Sequence, residues 1–185
     1  KTKSWTRWRM LVSNNKAKPS WAKRLRTAAL YIVLFSVVAF VVDAFRNSDV
    51  PESVPAELSS LTDINGEQYN LREMSKDSPV VLYFWATWCP VCPAVSPTVD
   101  YIGNHYPTIS VALRSGDNDK LTRYAQAKGY EFPIVNDNLN RVSNGWQVSA
   151  TPTIIIIENG DIVSATTGVT TPPGLFIRLW FHQFF

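Results

Sequence analysis

The only two cysteines of the 185-residue chain, Cys89 and Cys92, stand three positions apart in "VLYFWATWCPVCP". Three chemistries are open to such a pair. The first is packing, since free cysteine is among the most buried residue types, but packing gives no reason for both thiols to share one short segment. Metal ligation is the second reading. A structural zinc site usually takes four ligands, whereas the chain offers only His105 and His182 beyond the pair; a two-coordinate thiolate site for a soft ion such as Cu(I) stays open. The third is a dithiol that cycles with a disulfide. A strand followed by a helix whose first turn holds both cysteines brings the sulfurs within bonding range. The unsatisfied N–H groups and the dipole of the helix N-terminus then favour a thiolate on the first of them. On this reading Cys89 attacks and Cys92 resolves the mixed disulfide. Pro90 suits the first helical position, where no N–H is needed. Pro93 falls near the limit of the first turn, and Pro97 is expected to kink the helix.

The elements that must position this pair are legible around it. "PVVLYFWA", residues 79–86, is a continuous β-branched and aromatic run, the pattern of a strand buried on both faces. "TISVALR", residues 108–114, repeats it. "DNDKLTRYAQAKGY" opens on acidic and amide residues and closes on Lys128-Gly129, which predicts a capped helix. Asn65-Gly66 in "LTDINGEQYNL" and Asn159-Gly160 in "TPTIIIIENGDIVSATTG" predict two hairpins, because both turn positions call for positive φ. "PPGLFIRLWFHQFF" places Leu175, Phe176, Leu179 and Trp180 on one helical face, and its closing aromatics (Trp180, Phe181, Phe184, Phe185) are read as core. Helical patterns between buried strands, followed by a hairpin and a last helix, predict an α/β unit with a central mixed sheet and helices on both faces.

Charge divides the chain. Residues 1–42 hold nine Lys or Arg and no acid, so the other nine basic residues face all 15 acids. "AALYIVLFSVVAFVVDAF", residues 28–45, spans roughly 27 Å as a helix at about 1.5 Å per residue, just enough to cross a hydrocarbon core about 30 Å thick. Positive charge before the span predicts a cytoplasmic N-terminus. A signal peptide cleaved after Ala44 is the alternative; a 27-residue basic region and an apolar run longer than the usual ~7–15 residues favour an uncleaved anchor. Trp5, Trp8 and Trp21 among the basic residues suit an anionic lipid interface rather than nucleic acid. The expected organisation is therefore a basic cytoplasmic segment (1–27), a transmembrane anchor (28–45), an extended tether (46–57) with two prolines and three acids, and a folded domain (58–185).

"YFWATWCPVC" resembles the active-site segment of the thioredoxin superfamily. The anchor, the tether, the early "DINGEQYNL" hairpin and "ATPT" before the late hairpin are similar to its membrane-tethered, TlpA-like branch. The resemblance covers roughly 58–185. It implies a thioredoxin-like fold, a thiol:disulfide oxidoreductase whose redox group is the Cys89–Cys92 pair, and no bound cofactor or metal. Trp85 and Trp88 would wall the site, and Pro152 would be cis, with Thr151 pairing an extended substrate segment. The implied place is the bacterial inner membrane with the catalytic domain in the periplasm. The partners would be protein thiols or disulfides there and a transmembrane electron donor of the DsbD or ScsB type. Two positions depart from the family: thioredoxins carry a buried Asp where this chain has Tyr83, and TlpA-like reductases often a Glu where it has Val95. Three other functions share parts of this pattern. A cytochrome c maturation thiol reductase would have an acidic active-site groove, which Tyr83 and Val95 do not favour. A copper-binding module would use both cysteines as ligands. A peroxiredoxin fits less well, since Thr87 precedes Cys89 by two residues where that chemistry uses three.

Overall fold

The computed structural model describes residues 21–47, 51–170 and 172–184, the side chains at 22–23, 36, 39–47 and 181–184 excepted. Most of the basic segment expected over 1–27 lies outside these residues. The chain divides into two compact units, residues 1–41 and 42–185. Helix α1 (Trp21–Asn47) begins seven residues before the predicted apolar run, and its apolar side chains from Leu30 to Val38 are exposed wherever they are described. Among the described residues no helix is long and apolar enough to cross a membrane; from residue 39 the span expected over 28–45 runs beyond the described side chains.

The second unit is organised on β3 (Val80–Trp85), whose six residues are all buried, as a continuous β-branched and aromatic run requires. It pairs in parallel with β4 (Thr108–Leu113), which pairs in parallel with β5 (Ile134–Asp137). On its other side it pairs antiparallel with β6 (Thr153–Glu158), and β6 with β7 (Asp161–Thr167). The order β5-β4-β3-β6-β7 makes the mixed sheet predicted from the pattern. Alternation along β3 assigns its faces. Tyr83 and Trp85 point to one side, where they meet Ser96 of α3 (Cys92–Gly103) and Tyr124 of α4 (Asn118–Lys128). Phe84 points to the other and meets Trp146, just past the short α5 (Arg141–Gly145). Helices therefore cover both faces. α4 is bounded as read: the Asp117 carboxylate accepts from Lys120 N at 2.8 Å, and Gly129 closes the helix at φ 69°.

Three features differ from the sequence reading, and the early hairpin forms as read but apart from the central sheet. The tether expected over 46–57 gives way to folded structure by Glu52: Ile162 N–H donates to Glu52 O, Ser53 bridges Asp161, and Val54 is fully buried with its carbonyl held by Arg72. Hydrophobic burial of a single valine and three edge hydrogen bonds leave no compositional trace among prolines and acids. The early hairpin, β1 (Ser60–Thr62) with β2 (Gln68–Asn70), is a separate two-stranded sheet followed by the short α2 (Leu71–Met74). β5 and α5 were not anticipated, because four residues ending in Asn-Asp, and five after a left-handed Asn140, are too short to show a period. In α6 (Pro172–Phe184) Leu175 and Leu179 are buried and Phe176 partly so, but Trp180 is 55% exposed; the rest of the expected aromatic core, Phe181 to Phe185, lies outside the described side chains.

Candidate active site

β3 leads through residues 86–91 into α3, and the two cysteines fall at this junction. The helix starts at Cys92 and not at Cys89: Val91 is its N-cap, and Pro93, rather than Pro90, stands at the second helical position. Pro90 therefore lies outside the helix and not at its first position. The first N–H of the helix nevertheless finds the first sulfur. Cys92 N–H donates to Cys89 Sγ at 3.1 Å, so Cys89 serves as the side-chain cap that Val91 lacks. The dipole argument for a thiolate on Cys89 survives in this altered form.

Cys89 and Cys92 are joined in a disulfide with their Cα atoms 5.5 Å apart. Both are buried, Cys89 at 4% exposure and Cys92 at 1%, while the residues beside Cys89 are open: Trp88 is 60% exposed, and Pro90 and Val91 are exposed too. Sγ of Cys89 lies 3.7 Å from the carbonyl oxygen of Thr151, and the Thr151-Pro152 bond is cis. Gly168 N–H donates to Pro152 O at 2.8 Å, and Thr153 Oγ1 donates to Ala150 O at 2.9 Å, which fixes this loop to the start of the β6–β7 hairpin. Residues 62 positions apart in sequence thus meet at one sulfur. Trp85 is fully buried and packs against Tyr124, Tyr130 and Phe132, with ring centroids at 5.6, 6.3 and 6.1 Å.

Three residues at the site were not recognised from the sequence. Ser115 Oγ accepts from Thr87 N–H and donates to Leu113 O, both at 2.9 Å, and so anchors the cysteine loop to the end of β4. No motif joins positions 28 apart in this way. Ser96 donates to Cys92 O at 2.9 Å and lies 2.9 Å from Tyr83 Oη; its place one turn after Cys92 was a signal available in the spacing. Tyr83 was singled out only for what it replaces. Burial pushes its phenol well above the ordinary tyrosine range, so it is a neutral hydrogen-bonding group and not a base.

A mixed sheet that delivers a vicinal disulfide to a helix N-terminus, with a cis-proline loop against the first sulfur, defines a thioredoxin-like thiol-disulfide oxidoreductase. The chain belongs to the AhpC/TSA family, whose model matches residues 53–166. It is 34% identical over 164 residues to a thioredoxin-like protein of Haemophilus influenzae, covering 88% of this chain and 97% of that one. To the thiol-disulfide oxidoreductase ResA of Geobacillus kaustophilus it is 28% identical over 157 residues, 80% of this chain and 88% of that protein. Among solved structures, MTB dsbF in its mixed oxidised and reduced forms aligns with a TM-score of 0.60 at 22% identity, over 70% of this chain and 98% of that one, a likeness of fold.

The redox group of such proteins is the cysteine pair itself. In such an exchange one thiolate of the pair attacks a substrate disulfide, forming a mixed disulfide and releasing one substrate thiolate; the other, as thiolate, then attacks the bonded sulfur of the pair and releases the second. Run this way, two electrons pass to the substrate and the pair ends as the Cys89–Cys92 disulfide seen here; run in reverse, the disulfide accepts two electrons from a substrate dithiol.

Proposed function

We propose that this oxidoreductase works as a reductase, anchored in the bacterial inner membrane with its catalytic unit facing the periplasm. A transmembrane electron donor of the DsbD or ScsB type would return it to the dithiol. Its "WATWCPVC" segment resembles that of suppressor of copper sensitivity protein D, and the biological role read from that likeness is copper or oxidative-stress tolerance. Support for the anchor is the run of exposed apolar side chains from Leu30 to Val38 behind nine basic residues, a surface that water alone does not favour.

The observation that carries the reading is the Cys89–Cys92 disulfide at the N-terminus of α3 with the main chain of Thr151 against Cys89 Sγ. An extended substrate segment can pair with that main chain while its own sulfur approaches Cys89. The same contact crowds the position that a two-coordinate metal on both thiolates would take, which favours exchange over the copper-binding alternative. The deciding experiment is the equilibrium reduction potential of the 185-residue chain in detergent, titrated against glutathione with a Cys92→Ala control. A value near thioredoxin's roughly −270 mV is expected; one near DsbA's about −120 mV would make the protein an oxidant and overturn the direction proposed. Absence of a disulfide at every poise, with tight Cu(I) binding, would replace the proposal with the copper-binding module. Reduction of apocytochrome c thiols in preference to other oxidised proteins would move it to cytochrome c maturation.

A further inference from the structure

The polar pair behind the disulfide takes no part in the exchange just described, yet it is tied to it by hydrogen bonds of fixed direction. Ser96 Oγ bonds to Cys92 O, and a carbonyl can only accept, so the single Ser96 hydrogen is committed there. Tyr83 must then be the donor in its 2.9 Å bond with Ser96 Oγ. The result is a directed chain from Tyr83 O–H to Ser96 O–H to the carbonyl of Cys92. On the opposite side of the same residue, Cys92 N–H donates to Cys89 Sγ at 3.1 Å. Cys92 is thus held through its carbonyl from the interior while its amide addresses the reactive sulfur.

The chain also joins the two elements that flank the cysteine loop, since Tyr83 is on β3 and Ser96 on α3. Both side chains are almost completely buried, so neither bond has water as a competitor. Because the phenol is held neutral, the chain supplies orientation without adding charge.

We infer that Tyr83 and Ser96 are positioning residues that set the redox poise of the pair by holding the Cys92 main chain so that its N–H stabilises the reduced Cys89 sulfur. An N–H bond to a thiolate is charge-assisted and stronger than one to a disulfide sulfur, so the chain favours the dithiol state. This holds in whichever direction electrons flow in the cell, and its test is separate from that of the reductase proposal.

The experiment measures the glutathione equilibrium of the 185-residue chain, in detergent, for Tyr83→Phe, Ser96→Ala and the double variant, with thermal unfolding followed in parallel. Each single variant is expected to shift the equilibrium about tenfold toward the disulfide, about 30 mV more negative, and the double variant no further than either single. Equilibria unchanged within about twofold in folded variants would overturn the inference. So would a shift in Tyr83→Phe without one in Ser96→Ala, because the effect would then bypass the chain. If Tyr83→Phe does not fold, Ser96→Ala decides alone by the same criterion.

Discussion

The two sides of the Cys89–Cys92 bridge are built from opposite materials. On the outer side stand Trp88, Pro90 and Val91, exposed, beside a Cys89 sulfur that meets the main chain of Thr151. On the inner side lie Tyr83 and Ser96, buried and bonded to each other and to Cys92. The outer side can adapt to a partner and be released by it. The inner side is satisfied within the fold and governs how the two sulfurs are presented. On the proposals made above, recognition and redox poise therefore depend on different residues either side of one disulfide.

Removing either sulfur is the strongest way to break this division. Cys89→Ser is expected to reduce disulfide exchange to the uncatalysed level. Cys92→Ser should instead trap a covalent complex with an oxidised protein substrate, because resolution changes from an intramolecular to an intermolecular attack and slows by about a thousandfold or more. Non-reducing gels and turnover assays distinguish the two, and a stable complex with Cys89→Ser would reverse the assignment of nucleophile.

Truncations sharpen the contrast next. Tyr83→Ala should cost about 3–5 kcal/mol of stability by opening a cavity and leaving Ser96 with one partner fewer. Trp88→Ala should stay within about 0.5 kcal/mol of the parent while raising KM for a protein substrate roughly tenfold. Urea midpoints and steady-state kinetics separate these outcomes; equal stability losses would erase the distinction between the sides. Ser115→Ala, which strands the N–H of Thr87, is expected to cost about 1–3 kcal/mol.

The smallest effect is one of pH. The folded protein holds Tyr83 above its ordinary value near 10 by burial, and Tyr69 is pushed up to about 12, first by burial and then by its bond to Glu67. A raised folded pKa favours the protonated phenol, so the associated stability is complete below about pH 10 and is lost as pH rises through the folded values. The urea midpoint should fall above about pH 10, and less steeply in Tyr83→Phe. An identical slope in that variant would show that Tyr83 does not titrate with unfolding.

The two Asn-Gly turns show how far the sequence could be read. At Asn159-Gly160 both residues take positive φ, 52° and 84°, and the turn is the tight one that the dipeptide predicts. At Asn65-Gly66 only Gly66 does, at 89°, because the Asp63 carboxylate captures the N–H groups of Asn65 and Glu67 at 2.8 and 2.9 Å and shapes a wider loop. Local propensity named both hairpins, but one side chain changed the geometry of the first. The same holds at the cysteines: their spacing and the strand before them were legible, whereas the helix starts only at Cys92 and takes the Cys89 sulfur as its cap.

The chemistry, the central strands and the capped helix were readable from residue types and spacings, since each rests on positions a few residues apart. The resemblance at Thr151-Pro152 pointed that loop toward the site, but the 3.7 Å approach of Thr151 O to Cys89, the anchoring of Thr87 by Ser115, the path from Tyr83 through Ser96 to Cys92, and the burial of Val54 came from the three-dimensional fold. Each of those contacts joins segments brought together by sheet pairing and burial, and neither composition nor period in a single chain encodes which distant polar group will satisfy which.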